Sequence, residues 1–166
     1  AGAQIGQSLG LEGEGGPGVF DGLTFLRSVR EGTRPALGRR VGIVGGGDVA
    51  MDCARTARRL GSEETVVIYR RTIDEMPAQK EELQGLLQEG IRIIELASPK
   101  EILRLDPTQP DEEPGRLAAL RCARMRLGER DTRGRRQPVE IPGSVIDIPL
   151  DSLVVAIGQK PELGFF

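Results

Sequence analysis

The sequence contains no histidine and no tryptophan. Without imidazole, the commonest general base and the commonest transition-metal ligand are both missing. Chemistry carried by a bound redox cofactor would need neither. The aromatics are Phe20, Phe25, Tyr69, Phe165 and Phe166. So few rings argue against a base-stacking platform for single-stranded nucleic acid. Cys53 and Cys122 have neither metal-binding nor redox spacing. They are expected to be buried small hydrophobes in a reducing, cytoplasmic setting. An excess of one charge is also lacking. The 23 basic and 25 acidic residues leave a net charge of −2, which argues against a nucleic-acid or bulk-membrane partner. No apolar run approaches spanning length, so no membrane insertion is expected.

What is present is glycine, and it is concentrated where it matters. Val41, Ile43 and Val44 form a short apolar run that ends in Gly45-Gly46-Gly47. Ala50, Cys53, Ala54, Ala57 and Leu60 then recur at helical spacing. The glycines therefore sit between a buried strand and a helix start, which raises such a motif above noise. Gly45-x-Gly47-x-x-Ala50 reads as a dinucleotide fingerprint whose last small residue is alanine. Gly45 allows the tight turn, Gly47 lets backbone approach a pyrophosphate, and Ala50 allows close packing of helix on strand. Gly46, Asp48 and Val49 share this loop. The free N–H groups and the dipole of the helix would face the phosphates. Asp48 is read as the helix cap, and Asp52 with Arg55 as a surface pair.

One strand later, Thr65-Val-Val-Ile-Tyr69 is followed by Arg70 and Arg71. A fold that prefers NAD or FAD usually has Asp or Glu here, bonded to ribose hydroxyls. Here no carboxylate occurs until Asp74. A guanidinium fork matches a 2′-phosphate in charge and geometry. The reading is NADP(H), with NAD(H) as the alternative. Taken alone, the two arginines would be ordinary solvated strand-end charges.

In chain order, the first 19 residues are glycine-rich and without period. Asp21 looks like an N-cap, with Leu23, Leu26 and Val29 as the helix face and Gly32 as its stop. Beyond Arg71, Pro77 suits a first helical position, and Leu83, Leu86 and Leu87 would face the core before Gly90. Ile91, Ile93 and Ile94 mark a third parallel strand. Alternating strands and helices are the pattern of a doubly wound α/β unit. The pattern then changes. Residues 100–105 and 117–127 alternate, and 138–148 form another broken strand, with a Pro-rich acidic loop at 106–115. This is expected to be an antiparallel β-meander. In 117–127 either Leu120, Cys122 and the aliphatic stem of Arg124 form one face, or Ala119, Arg121, Ala123, Met125 and Leu127 form the other. Arg133, Arg135 and Arg136 are assigned to a solvated hairpin tip, since nothing glycine-rich or helical frames them. Residues 153–157 are the last buried strand, ending at Gly158, where ligands collect in parallel sheets.

These segments together resemble a known family. Gly-Gly-Gly-Asp-Val-Ala-Met-Asp-Cys-Ala-Arg-Thr at 45–56, Tyr-Arg-Arg-Thr at 69–72, Glu-Met-Pro-Ala at 75–78, Gln-Glu-Gly at 88–90 and Asp-Ser-Leu-Val-Val-Ala-Ile-Gly-Gln-Lys-Pro-Glu-Leu at 151–163 are similar to the NADP(H)-binding domain of flavoprotein oxidoreductases of the glutamate synthase small (beta) subunit type. Dihydropyrimidine dehydrogenase carries a related module. Gly128-Glu129, Gly134-Arg135-Arg136 and Pro142-Gly143-Ser144 resemble the family's hairpin region.

The resemblance implies a Rossmann-like doubly wound parallel sheet with helices on both faces plus the meander, in three ββα layers. It implies a nucleotide domain at 35–158, inserted into an FAD-binding domain. Residues 1–34 would be linker and crossover remnant, with Ala1-Gly2-Ala3 the end of the flavin domain's crossover. Residues 159–166 would return toward that domain. The chain would thus be part of a longer flavoprotein, and by itself is expected to lack turnover. The implied function is presentation of NADP(H) for hydride exchange with FAD held elsewhere in the parent. The parent could also carry iron–sulfur clusters and a larger catalytic subunit. Residue by residue, Gly46, Gly47, Asp48 and Val49 would line the pyrophosphate and nicotinamide side. Arg70 and Arg71 would hold the 2′-phosphate, and Ala156, Ile157 and Gly158 would border the nicotinamide end. No metal ligand and no side-chain acid or base is implied. One departure is Pro77, where some relatives have a further Arg. Competing readings are an NADH-preferring subunit, a non-catalytic nucleotide-binding module, and a methyltransferase, the last disfavoured by the basic pair.

Overall fold

The computed structural model describes residues 8–105 and 115–158. The crossover assigned to Ala1-Gly2-Ala3, most of the Pro-rich loop and the 159–166 return segment lie outside the described residues. A five-stranded parallel sheet forms the middle layer, in the order β1 (Val19–Asp21), β8 (Ser152–Val155), β2 (Arg40–Val44), β3 (Glu64–Ile68), β4 (Arg92–Ile94). The helices are α1 (Gly22–Arg30), α2 (Asp48–Arg59) and α3 (Lys80–Gln88). A second, antiparallel sheet holds β5 (Ala97–Arg104), β6 (Leu117–Arg130) and β7 (Arg136–Pro149).

The strand pleat divides two cores. Val41, Ile43, Val67 and Val154 point to one face, where they meet Phe25 of α1, the Ala50/Cys53/Ala54/Ala57 stripe of α2, and Leu83 and Leu86 of α3. Their neighbours Val44, Val66, Ile68, Leu153 and Val155 point to the other face, against Ile102, Leu120, Cys122 and Ile148 of the antiparallel sheet. Alternation along a strand sends successive side chains to opposite faces, and both faces here are apolar because both are covered. The expected α/β fold with ββα layering is therefore present. One component differs: among the described residues the helices are on one face only, because the meander occupies the other.

Several local expectations need correction. The segment before α1 is not all linker, since Val19–Asp21 pairs with β8. On α1 the most buried side chain is Phe25, while Leu23, Leu26 and Val29 are half-buried. Pro77 does not begin a helix. Residues Ile73–Glu75 form a 3₁₀ turn, and α3 starts after Gln79. Leu87 is 49% exposed, on the outer side of α3. In β6 the Leu120 and Cys122 face is the buried one, and a bulge after Ala123 buries that residue too. Arg55 pairs with Glu89 of the α3 terminus rather than with Asp52, its Nε lying 3.4 Å from the carboxylate.

Candidate functional site

Three strand ends converge at the carboxyl edge of the parallel sheet. Gly45 continues β2 by donating its N–H to the Ile68 carbonyl at 3.1 Å. Ala156 continues β8 by donating to Val44 at 2.8 Å. Tyr69 continues β3 by donating to Ile94 at 2.9 Å. Gly45 then turns the chain at φ +142°. A Cβ there would run into the Ala156 carbonyl, so glycine is required both by conformation and by space. Ala50, fully buried, packs beneath this turn.

Gly46 is pinned in place by the loop after β3. The Tyr69 ring fills the space a Gly46 side chain would need. The Tyr69 hydroxyl donates to the Glu75 carbonyl at 3.1 Å, and Ala78 N–H donates to the Gly46 carbonyl at 3.2 Å. Gly47 behaves differently. Nothing lies within 4 Å of the position its Cβ would take. It is the N-cap of α2 and no side chain caps the helix. Contrary to the expected cap role, Asp48 is the first residue of the helix, and Gly47 is its cap. A carboxylate in the first turn still has a favourable interaction with the helix dipole. The result is a helix N-terminus with no side-chain cap that borders open space at Gly47.

That space is a cleft of about 730 Å³. Gly45, Gly46, Gly47, Asp48, Val49, Arg70, Arg71, Ala156, Ile157 and Gly158 all line it. Of the residues expected at the site, only Ala50 does not; it supports the turn from below. Asp21 and Leu23 at the start of α1, Tyr69, Pro77, Ser98 and Arg135 also border the cleft. Apart from Pro77, whose position carries an Arg in some relatives, none of these was expected there.

The two arginines after β3 are not equivalent. Arg70 is exposed. Packing around it, and then the Arg71 charge, lower its pKa from the ordinary value; Arg135 adds to this, and Tyr69 opposes it. Arg71 is 6% exposed, and its Nε donates to the Arg136 carbonyl at 2.9 Å. It is therefore not a freely solvated charge, and one of its donors is committed to the β6–β7 hairpin. Arg135 corrects the solvated-tip assignment. It is half-buried and lines the cleft beside Arg70 and Arg71. The missed signal lies in topology, because no spacing in the sequence shows that a hairpin some 65 positions downstream folds back on β3.

Neither cysteine belongs to the site. Cys53 lies in the helix-side core and Cys122 in the meander-side core. Burial pushes both thiols up to about 12, so neither supplies a reactive thiolate near neutral pH. Among the described residues no group of His, Cys, Asp and Glu is arranged to hold a metal ion, and no helix is long and apolar enough to cross a membrane.

A family model described as pyridine nucleotide-disulphide oxidoreductase matches residues 2–165. The NADPH-Fe(3+) oxidoreductase subunit beta of Geobacter sulfurreducens is 39% identical over 167 residues, covering 99% of this chain and 24% of that protein. The glutamate synthase [NADPH] small chain of Halomonas elongata is 35% identical over 163 residues, covering 92% of this chain and 33% of that protein. The chain thus spans a third or less of the length of these two relatives. Among solved structures, Mycobacterium tuberculosis FprA in complex with NADPH aligns with a TM-score of 0.75 at 19% identity, covering 99% of this chain and 50% of that one. At that identity the likeness concerns the fold.

Proposed function

The chain belongs to the pyridine nucleotide-disulphide oxidoreductase family, and on that premise we propose that its cleft binds NADP(H) and that it serves as the nicotinamide-nucleotide domain of a flavoprotein of the glutamate synthase small-subunit type. The carrying observation is that one cleft joins an uncapped helix N-terminus at Gly47 to a cationic wall at Arg70.

The residues present fit a dinucleotide bearing an extra phosphate. The open space at Gly47 is where a side chain would otherwise stand, and the α2 donors beside it suit a pyrophosphate. Arg70, with Arg71 behind it, suits a 2′-phosphate. No salt bridge among the described residues engages either one. Ala156, Ile157 and Gly158 would border the nicotinamide. When bound, the nicotinamide supplies a transferable hydride, and we propose that the acceptor or donor is FAD held by segments outside 35–158. The chain's own part is to bind and orient. The glycine turn fixes the phosphates, and the Ala156 backbone locks that turn to β8. No side chain is assigned as acid or base. The remainder of the parent, including any iron–sulfur centres or larger catalytic subunit, would set the final electron partner.

The reading is tested by titrating the full chain with NADPH and NADH, with and without Arg70→Ala. NADPH should bind more tightly, and the substitution should weaken it roughly ten- to a hundredfold while sparing NADH, the loss expected for a charge-assisted contact. Equal affinities for the two nucleotides, unchanged by the substitution, would refute NADP(H) specificity.

A further inference from the structure

The β6–β7 hairpin tip carries four arginines, and they are not doing the same thing. Arg130 Nη1 donates to the Gly134 carbonyl at 2.7 Å. Arg136 donates from Nε to Gly128 at 3.1 Å and from Nη2 to Leu127 at 2.9 Å. Both therefore fasten the hairpin to itself. Arg133 is exposed and does not reach the cleft. Arg135 does line the cleft, and among the described residues its guanidinium has neither an ion pair nor a hydrogen bond within the chain.

The backbone of Arg135 is held from both sides. Its N–H donates to Asp131 Oδ1 at 3.0 Å, and its carbonyl accepts from Asp131 N–H at 2.7 Å. The next residue, Arg136, accepts the Arg71 Nε donor through its carbonyl. The tip is thus pinned to the end of β3 by a buried side chain, while the Arg135 side chain stays available. Arg70, Arg71 and Arg135 place three like charges on one cleft wall. An unpaired cationic cluster of this kind is relieved by an anion, and the doubly charged phosphate monoester suits it better than a diester.

We propose that Arg135 is a specificity-determining residue that holds the 2′-phosphate together with Arg70, and that Arg71 is the positioning residue that keeps the hairpin within reach. This rests on the NADP(H) reading above. It divides recognition between two elements far apart in sequence. Discrimination between the phosphorylated and plain nucleotides then depends on the hairpin as well as on the strand end.

The test is titration of the full chain with NADPH and NADH for the unsubstituted protein, Arg70→Ala, Arg135→Ala, Arg135→Gln, and Arg71→Ala with and without Arg135→Ala. Thermal unfolding confirms that each variant is folded, and Arg135→Gln keeps the aliphatic stem if the alanine variant fails to fold. Loss of Arg135 should weaken NADPH about tenfold and leave NADH within about twofold. Arg71→Ala should weaken NADPH markedly alone but add little in the Arg135→Ala background, because a residue acting through another is non-additive with it. NADPH affinity unchanged by both Arg135 variants, with Arg70→Ala still costly, would overturn the role of Arg135 and leave the cofactor reading standing. Additive losses from Arg71 and Arg135 would overturn the positioning role of Arg71. An unsubstituted chain without preference for NADPH would overturn the cofactor reading and this proposal with it.

Discussion

Gly45 and Gly47, two residues apart in this turn, do opposite jobs, and an added methyl group tells them apart. At Gly45 the backbone is at φ +142° and the Ala156 carbonyl stands where a Cβ would go. Gly45→Ala should therefore destabilise the fold by about 3 kcal/mol, through strain and displacement of β8 together. At Gly47 the backbone is extended and the added methyl meets nothing within 4 Å. Gly47→Ala should lower its urea midpoint far less than Gly45→Ala yet bind dinucleotide at least about tenfold more weakly, because in the proposed binding mode the methyl would occupy the approach of the pyrophosphate. Unfolding curves and titrations of the two variants separate a structural glycine from a ligand-facing one; if both lost only stability, the turn would have no role in binding. Both glycines were legible from their place between an apolar run and a helical stripe. The arginines were legible only in part. Arg70 followed from strand-end position, but the burial of Arg71 and the return of Arg135 depend on a tertiary contact that no local pattern encodes.

Among the elements, the junction of β8 with β2 and β6 is tied by one carboxylate. Asp151 accepts from the Arg40 N–H at 2.9 Å, from the Arg40 side chain at 3.3 Å, and from Arg116 Nη2 at 2.9 Å. Its side chain is 9% exposed. Burial pushes this carboxyl up, but the bonds from Arg40 and Arg116 together hold it below its ordinary value. A carboxyl with a lowered folded value stabilises the fold above its unfolded pKa, about 3.9, and that contribution fades as pH falls through the folded value. Urea unfolding between pH 7 and pH 2.5 should show this loss. Asp151→Asn should flatten that part of the profile and cost about 2 kcal/mol at pH 7. An unchanged profile would mean that the ties contribute nothing. Element boundaries were legible where strong signals existed, as at the Asp21 cap, which accepts Thr24 N–H at 3.0 Å. They failed where the signal was false or absent. Pro77 imitates a helix start, whereas Gln79, the actual cap, makes no side-chain cap bond. β1 is three residues long and pairs with a strand more than 130 positions away.

For the molecule as a whole, the meander is a long connection from β4 at the sheet edge to β8 in its interior, and it also serves as the third layer. β8 is hydrogen-bonded to β1 on one side and β2 on the other. It supplies Leu153 and Val155 to one core and Val154 to the other. A chain ending at residue 150 should therefore lose cooperative unfolding, detectable as a broad, shallow urea transition by circular dichroism; a sharp transition would show that β1 and β2 close the gap unaided. The layering was legible because the change of pattern to alternation at residues 100–105 announced a second sheet. That the three helices among the described residues share one face was not legible, since a buried parallel strand is apolar on both sides whatever covers it.

The position of β8 also bears on synthesis. Strands β1 to β4 leave the ribosome before the strand that sits between β1 and β2 exists. Until β8 has emerged, the facing edges of β1 and β2 remain open and the apolar side chains beside them stay wet, the condition under which nascent chains pair wrongly. Closure joins residues far apart in sequence, which slows folding. The nascent nucleotide fold is therefore expected to depend on chaperone protection until its final strand arrives.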